Sequence, residues 1–344
     1  MIQKHGGNVE QFANVLDFSA NINPLGMPSS VSSALRESIC DIGKYPDPYC
    51  TELRDKLSEA ERISAENIVC GNGADDLIFR IIHALRPEKA MIYAPSFSEY
   101  KRALSETGCE ICEHTLLEET GFAVTKALPD ALDDTFDMCI VCTPNNPTGQ
   151  VIAPEVMGAL AEKCLKCGII LVCDECFLGF VQESDRLSLR NFFNPNCIIL
   201  KAFTKLYAMP GIRLGYAVCG DRDTADKIQQ SGQFWSVSGP AQKAGIAALA
   251  ETGHVRRTLN YLKTEREFLT AELRRIGIKY YEPSANFIFF RGTDGLCEKM
   301  LAQSILIRDC SDYSGLSGHF FRIAIRTHEE DLILTDALRR CMNG

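Results

Sequence analysis

Residues 198–216 read Ile-Ile-Leu-Lys-Ala-Phe-Thr-Lys-Leu-Tyr-Ala-Met-Pro-Gly-Ile-Arg-Leu-Gly-Tyr, an apolar strand-like run, a short polar turn and a second apolar run. Lys205 lies among apolar residues, and burial makes a lysine lose its proton more easily because it disfavours the ammonium ion. The neutral amine can attack an aldehyde to form a Schiff base. Thr204 offers a hydroxyl, and Arg213 a fork of donors that suits a phosphate. An aldehyde and a phosphate on one small molecule indicate pyridoxal 5'-phosphate (PLP); a surface-loop lysine is the alternative.

Two upstream stretches favour the PLP site over a surface loop. Residues 171–177, Leu-Val-Cys-Asp-Glu-Cys-Phe, contain an apolar run that ends on Asp174. PLP acts as an electron sink while its ring nitrogen stays protonated, which requires an aspartate beside it. Residues 143–149, Thr-Pro-Asn-Asn-Pro-Thr-Gly, follow another apolar run. We predict that Asn146 in this stretch donates a hydrogen bond to the 3-oxygen of the ring.

The order of these motifs resembles that of the fold-type-I PLP enzymes, the aminotransferase superfamily. Asn-Pro-Thr-Gly comes first, then Asp174, then Thr-Lys, then Gly-x-Arg-x-Gly, and the resemblance spans nearly the whole chain. It implies a large α/β domain and a small α+β domain at the C-terminus, and it places Phe97 flat against the pyridine ring. The expected divisions are an N-terminal arm over residues 1–28, a large PLP-binding domain over 29–240, and a connecting helix with the small domain over 241–344.

The hydrophobic pattern independently predicts an α/β fold. Strand-like runs at 89–94, 110–115, 138–142, 169–173 and 197–200 alternate with helical patterns at 97–107 and 154–167. This alternation predicts a mostly parallel sheet with helices on both faces. Ligands of such sheets bind beyond the carboxyl ends of the strands. Asn146, Asp174 and Lys205 all fall at such ends.

A glycine-rich turn, Gly-Asn-Gly-Ala-Asp-Asp from residue 71, runs into a predicted helix. Backbone N–H groups and the helix dipole make such an N-terminus an anion site. An ordinary strand-to-helix turn is the alternative on the glycines alone, and the superfamily pattern favours the phosphate site. The predicted ligands of the cofactor phosphate are Gly73, Ala74, Asp75, Thr204 and Arg213.

The N-terminal arm carries a narrower resemblance. Residues 5–8, His-Gly-Gly-Asn, and residues 17–26, Asp-Phe-Ser-Ala-Asn-Ile-Asn-Pro-Leu-Gly, look like the threonine-phosphate decarboxylase family of cobamide biosynthesis, which is related to histidinol-phosphate aminotransferase. The resemblance implies that the arm reaches the active site, so His5 and Asn23 are candidates for substrate contact, with a structural arm as the alternative. It also implies a homodimer in which Tyr45 contacts the cofactor phosphate of the neighbouring subunit.

Arginines near the C-terminus are the candidate ligands of a substrate anion. Arg322 alternates with apolar residues on a predicted strand, and a buried charge needs an ionic partner. The resemblance makes Arg322 the arginine that binds the substrate anion and Arg308 a second one, used for a substrate phosphate. Arg326 is predicted to share the face of Arg322, with a salt bridge to Glu or Asp as its alternative.

The narrower resemblance implies PLP-dependent decarboxylation of L-threonine O-3-phosphate to (R)-1-aminopropan-2-yl phosphate and CO2. Aminotransfer between histidinol phosphate and glutamate is the alternative. Histidinol-phosphate aminotransferases generally carry a tyrosine three residues after the ring-nitrogen aspartate, where this chain has Phe177. The missing hydroxyl favours the decarboxylase. A PLP-binding regulator or a cysteine-based metal protein is the non-enzymatic alternative.

Composition limits the remaining classes. The 344 residues are 24% charged and 46% hydrophobic with a net charge of −9, which indicates a soluble protein without a nucleic-acid footprint. The sequence shows neither an apolar run that could span a bilayer nor a cleavable leader. Sixteen cysteines favour a reducing cytoplasm. Four pairs have Cys-x-x-Cys spacing. The pairs 139/142 and 173/176 begin in strand-like runs, where residues three apart face opposite ways. The pairs 109/112 and 164/167 could each share a face, but they lie too far apart in sequence for the compact spacing of a zinc site, so we expect no metal site.

Overall fold

The computed structural model of the chain describes residues 6–12, 14–316 and 318–343. In this part the strands are β1 (Leu16–Asp17), β2 (Ile68–Gly71), β3 (Lys89–Ala94), β4 (Glu110–Thr115), β5 (Met138–Cys142), β6 (Ile170–Asp174), β7 (Cys197–Ala202), β8 (Gly215–Cys219), β9 (Tyr280–Tyr281), β10 (Phe287–Arg291), β11 (Ile305–Leu306), β12 (Arg308–Asp309) and β13 (Phe320–Ala324). The helices are α1 (Ser29–Ser38), α2 (Thr51–Glu61), α3 (Ala74–Leu85), α4 (Ser98–Glu106), α5 (Ala127–Asp130), α6 (Pro154–Cys167), α7 (Ser184–Leu187), α8 (Phe203–Leu206), α9 (Arg222–Ser231), α10 (Gly239–Leu249), α11 (Thr252–Ile276), α12 (Leu296–Leu301) and α13 (His328–Asn343).

The large sheet has seven described strands in the order β2-β8-β7-β6-β5-β3-β4. Five of them, β4, β3, β5, β6 and β7, pair with their neighbours in parallel, whereas β8 lies antiparallel to both β7 and β2. Strands β5, β6 and β7 are almost entirely buried, as expected where helices cover both faces. The predicted mostly parallel α/β sheet is confirmed.

A smaller antiparallel sheet, β12-β13-β10-β9, lies in the C-terminal part. Separately, β1 of the N-terminal arm pairs in parallel with β11, with Leu16 opposite Ile305. Sequence periodicity missed β1, β11 and β12 because each has only two residues. This pairing matters for the site, since it brings the polar stretch that follows β1 beside the C-terminal arginines.

The buried apolar side chains form two clusters. The larger one surrounds the seven-stranded sheet. The smaller one surrounds β10 and β13 and includes Phe18 from the arm, which is fully buried. The predicted boundaries at residues 28 and 240 remain predictions.

The connecting helix predicted after residue 240 is two helices, because Glu251, with φ −86° and ψ 48°, interrupts it between α10 and α11. Near the N-terminus, α1 ends at Ser38 and the chain continues as a 3₁₀ turn over Ile39–Asp41. None of the helices described is both long and apolar enough to cross a membrane.

Candidate active site

A cavity of about 430 Å³ lies where β5, β6 and β7 end, with Cys142, Asp174 and Ala202 on its wall. The N-terminal arm and the C-terminal sheet complete the wall, so residues far apart in sequence meet there. Of the site residues predicted from the sequence, the cavity is lined by Ala74, Asp75, Phe97, Asn146, Asp174, Thr204, Lys205, Arg213, Arg308 and Arg322.

Lys205 lies in the short helix α8, immediately after β7. Its backbone carbonyl accepts a hydrogen bond from the backbone N–H of Asn23 at 3.1 Å, which ties the turn to the arm. Burial, together with the positive charge of Arg322, lowers the pKa of Lys205 to about 8. Near neutral pH a far larger fraction of this amine is therefore neutral than of an ordinary lysine, and the neutral amine is the form that attacks an aldehyde.

Asp174 ends β6 and is buried beside the cavity. Its Oδ2 accepts a hydrogen bond from the hydroxyl of Tyr100 at 2.6 Å, and its Oδ1 accepts one from the backbone N–H of Cys176 at 2.9 Å. The two donors fix the plane of the carboxyl group. Tyr100 was missed from the sequence, although it lies in the first turn of α4, which begins immediately after Phe97.

Asn146 has its amide oriented by two donors. Its Oδ1 accepts hydrogen bonds from Nη1 of Arg322 and, at 3.2 Å, from the hydroxyl of Tyr313. With the oxygen engaged in this way, the amide nitrogen is the group left to donate. This arrangement suits the predicted donation to the 3-oxygen of a PLP ring.

The glycine-rich turn and Arg213 form a compact cradle. Gly73 precedes α3 with φ +91°, and a Cβ atom there would lie 2.7 Å from Nη2 of Arg213. A Cβ atom on Gly215 would lie 2.6 Å from the backbone nitrogen of Ala74. Two close approaches that only glycine permits thus bring the guanidinium to the N-terminus of α3, where an anion is favoured. Thr204 also lines the cavity.

These groups fit PLP. The cradle at the start of α3 suits its phosphate, the amine of Lys205 its aldehyde, and Asp174 its ring nitrogen. Phe97 lines the cavity and packs edge-to-face on Tyr100 with ring centroids 5.7 Å apart. When bound, PLP supplies an electron sink for a substrate bond that breaks at the α-carbon.

The three candidate arginines have different surroundings. Arg322 donates to the carbonyl oxygen of Ser19 at 2.8 Å, and its buried Nε has no hydrogen-bond partner in the described structure. Arg308 forms a salt bridge of 2.8 Å with Asp312. Both line the cavity. Arg326 instead bonds Glu330 at 2.7 Å and does not line the cavity, so the salt-bridge alternative is confirmed for it.

The structure places the polar residues of the arm differently from the prediction. Asn23 is buried outside the cavity lining, and its Nδ2 lies within hydrogen-bond distance of the carbonyl oxygen of Leu206 and Oγ1 of Thr258. Asn21 lines the cavity instead, with a buried Oδ1 that lacks a partner among the described groups. Both asparagines lie in the polar motif of residues 17–26, so the sequence alone does not show which of them reaches the cavity. His5 lies outside the described residues.

Tyr45 lies away from the cavity of its own subunit. Its side chain is 80% exposed and stacks on Trp235 with ring centroids 4.6 Å apart. The predicted contact with a neighbouring subunit therefore stays a prediction.

The cysteines serve chiefly as core residues. All sixteen are free, and most are buried. Cys142 and Cys176 line the cavity, where burial raises the pKa of both thiols. Across residues 6–12, 14–316 and 318–343, no three His, Cys, Asp or Glu side chains are grouped so as to hold a metal ion.

A buried amine of lowered pKa, a carboxylate held by two donors and an anion cradle share one cavity at the carboxyl edge of a parallel sheet. Together they define a PLP-dependent enzyme. Residues 13–338 match the family model described as aminotransferase class I and II, and the chain belongs to this family.

Individual proteins of known function also resemble the chain over most or all of its length. The chain is 37% identical to threonine-phosphate decarboxylase of Salmonella typhimurium, over 99% of this chain and 97% of that protein. It is 32% identical to the adenosylcobalamin biosynthesis bifunctional protein CobDQ of Leptospira interrogans, over 100% of this chain and 41% of that protein. The crystal structure of histidinol-phosphate aminotransferase from Clostridium acetobutylicum superposes with a TM-score of 0.90 at 30% identity, covering 96% of this chain and 99% of that one.

Proposed function

We propose that this enzyme decarboxylates L-threonine O-3-phosphate to (R)-1-aminopropan-2-yl phosphate and CO2, with PLP as its cofactor, in cobamide biosynthesis. One observation carries the chemistry: the amine of Lys205, of lowered pKa, shares a cavity with Asp174, the anion cradle and two further arginines. The likeness to threonine-phosphate decarboxylase over almost the full length of both chains supports the substrate. The adenosylcobalamin-biosynthesis relative supports the pathway.

In this proposal each residue that would hold PLP beside the large sheet has a distinct task. Lys205 would hold the cofactor aldehyde and, once released from it, would return a proton to the α-carbon of the product. Asp174 would keep the ring nitrogen protonated, and Asn146 would donate to the ring oxygen. Phe97 would stack on the ring as offset aromatics do. The start of α3, with Thr204, would hold the phosphate of the cofactor.

The substrate anions belong on the C-terminal side of the cavity. Among the described groups, Arg322 retains an unpartnered, buried Nε, and the ionic partner of Arg308 is Asp312 in the loop that follows β12. Charge-assisted, bidentate bonds from such arginines suit a phosphate or a carboxylate. Asn21 lines the cavity with an unpartnered Oδ1, which would accept a hydrogen bond from the ammonium group of the incoming substrate before that nitrogen bonds to the cofactor. We propose Arg308, Arg322 and Asn21 as the substrate ligands.

Phe177 supports decarboxylation over aminotransfer. Its ring lines the cavity and packs edge-to-face on Phe287 with centroids 5.1 Å apart. The cavity therefore lacks a hydroxyl at this position, where histidinol-phosphate aminotransferases generally carry a tyrosine. Aminotransfer from histidinol phosphate is the second candidate, because the Clostridium acetobutylicum enzyme has so similar a fold.

We further propose a cytoplasmic homodimer. An exposed apolar surface is formed around the stacked rings of Tyr45 and Trp235, and Phe234 packs edge-to-face on Trp235 at 4.9 Å. Contiguous exposed apolar surface of this kind marks interaction sites. The partner is a second copy of the chain, since the Tyr-Pro motif of this surface is the one expected to reach a neighbouring PLP site. The free state of all sixteen cysteines supports a reducing compartment.

Release of CO2 from O-phospho-L-threonine tests the proposed activity. Wild-type holoenzyme should release CO2 without a 2-oxo acid, and Lys205→Ala should release none. Arg308→Met should lose roughly ten- to hundred-fold in kcat/KM, because hydrogen bonds between charged groups contribute about 1.5–3 kcal/mol. Arg326→Met, which changes an arginine outside the cavity, should keep wild-type activity. CO2 release that Lys205→Ala retains would contradict the assignment.

A further inference from the structure

A second cavity adjoins the proposed active site. Its volume is about 400 Å³, and it extends between the end of β3, the start of α4 and the loop of residues 312–316. The two cavities share three wall residues, namely Phe97, Arg102 and Tyr313. The charged side chains of the second cavity are paired: Lys101 with Glu113, Arg102 with Glu99, and Asp312 with Arg308. The second cavity therefore offers space for a neutral group rather than a binding site for an ion.

Tyr313 is held firmly in this common wall. Its side chain is 8% exposed, and its hydroxyl donates to Oδ1 of Asn146 at 3.2 Å. Its backbone N–H donates to the carbonyl oxygen of Cys310 at 3.1 Å, and its carbonyl oxygen accepts from Leu316 at 3.1 Å. The ring is thus fixed from both ends, by the active site and by its own loop.

Tyr313 also stands next to the proposed phosphate ligand. The guanidinium of Arg308 lies 5.2 Å from the centroid of the Tyr313 ring. A phosphate ester bound by Arg308 would therefore lie close to this ring. Because Tyr313 lines both cavities, its ring separates the phosphate site from the second cavity.

We propose that Tyr313 determines substrate size: its ring closes the active site against the second cavity and so selects phosphate monoesters with a small organic group. The inference rests on the proposed function, since it assumes that Arg308 binds the substrate phosphate. Phe97 and Arg102 complete the wall, but Phe97 already faces the cofactor ring and Arg102 is tied to Glu99 at 3.1 Å. Tyr313 is the wall residue next to the phosphate site.

The test measures dissociation constants of the PLP-loaded enzyme for isopropyl phosphate and 2-phenylethyl phosphate by isothermal titration calorimetry. Neither ester has an amine, so neither reacts at the aldehyde of PLP. Wild type should bind the small ester at least about tenfold more tightly, and Tyr313→Ala should abolish this preference by letting the large group enter and bury apolar surface in the second cavity.

Two control variants separate the steric effect of the Tyr313 ring from the effects of its hydrogen bond and of the size of the second cavity. Tyr313→Phe removes the bond to Asn146 but keeps the ring, so it should keep the wild-type preference. Leu316→Ala enlarges the second cavity away from the common wall and should also keep it. Tyr313→Leu, which retains apolar packing but shortens the side chain, replaces Tyr313→Ala if the latter does not fold.

The outcomes distinguish this inference from the proposed function. If wild type binds isopropyl phosphate but Tyr313→Ala and Tyr313→Leu keep its preference, the size-selection role is overturned and the proposed function stands. Equal binding of both esters by wild type also overturns it. If wild type binds neither ester, the phosphate site itself is wrong and both proposals fail.

Discussion

Lys205 is the residue whose surroundings most directly determine the chemistry. Its surroundings have opposite effects on its pKa: burial and the charge of Arg322 lower the pKa, whereas Cys176 and Asp174 raise it. The lowering effects are larger, and the pKa lies at about 8 rather than at the usual 10.5. Capture of PLP should therefore depend on pH within the physiological range.

We expect the rate at which apoenzyme captures PLP to rise as pH rises through about 8, because the neutral amine of Lys205 is the reactive form. Arg322→Met removes a positive charge that disfavours the ammonium ion, so the pKa of Lys205 and the midpoint of the profile should move to higher pH. Stopped-flow absorbance across the pH range measures this midpoint. Arg326→Met is the matched control and should leave it in place; an unchanged midpoint in Arg322→Met would contradict the electrostatic argument.

Tyr100 is expected to act on catalysis through Asp174. Tyr100→Phe removes a hydrogen bond to a carboxylate, a contribution of about 1.5–3 kcal/mol, so kcat should fall roughly ten- to hundred-fold. The KM for O-phospho-L-threonine should change far less, because the hydroxyl contacts Asp174. Steady-state kinetics separate the two constants. Tyr207→Phe, on a tyrosine outside the cavity lining, is the control; a rise in KM with unchanged kcat would show that Tyr100 binds substrate instead.

Among individual residues, the sequence predicted those whose chemistry depends on a local motif. Lys205, Asp174 and Asn146 each lie at or just after the end of a strand that the hydrophobic pattern predicts. Asn21, Tyr100 and Tyr313 could not be found in this way, because their roles depend on contacts between segments far apart in the chain. The bond from Tyr313 to Asn146, for example, joins residues 167 positions apart.

The turn from β2 into α3 is the element on which cofactor binding depends most. Gly73 has φ +91°, a conformation that costs a residue with a Cβ atom about 1–3 kcal/mol, and the new atom would also meet Arg213. We expect Gly73→Ala to weaken PLP binding at least about tenfold. Absorbance titration of apoenzyme with PLP measures the dissociation constant.

Gly211→Ala provides the matched control for Gly73→Ala. Gly211 lies two residues before Arg213, and a Cβ atom there would have no described heavy atom within 4 Å. PLP binding should stay at the wild-type level in Gly211→Ala. Equal weakening in both variants would point to general destabilisation of the loop and contradict the proposed cradle.

Elements were predictable where the hydrophobic pattern is long. The strands over Lys89–Ala94, Glu110–Thr115 and Met138–Cys142 and the helix over Pro154–Cys167 lie where the pattern predicts them. The pairing of β1 with β11 was not predictable, because two residues carry no periodicity and their partners lie almost 290 positions away. That pairing is what brings the arm to the active site.

For the whole molecule, we expect a homodimer by analytical ultracentrifugation. Trp235→Glu places a charge in the exposed aromatic surface and should shift the protein toward monomer with loss of activity, because burying an unpaired charge opposes association. Leu332→Glu changes another exposed apolar residue, on α13, and should stay dimeric. A fully active wild-type monomer would contradict the proposed assembly.

The most direct test of the account offers wild-type holoenzyme two competing reactions in one vessel. O-phospho-L-threonine labelled with ¹³C in its carboxyl group, histidinol phosphate and 2-oxoglutarate are mixed, and labelled CO2 and glutamate are followed together. The proposed function predicts rapid release of labelled CO2 with (R)-1-aminopropan-2-yl phosphate as its partner product, and little glutamate. Glutamate formation without labelled CO2 would contradict the decarboxylase and establish aminotransfer as the reaction of this site.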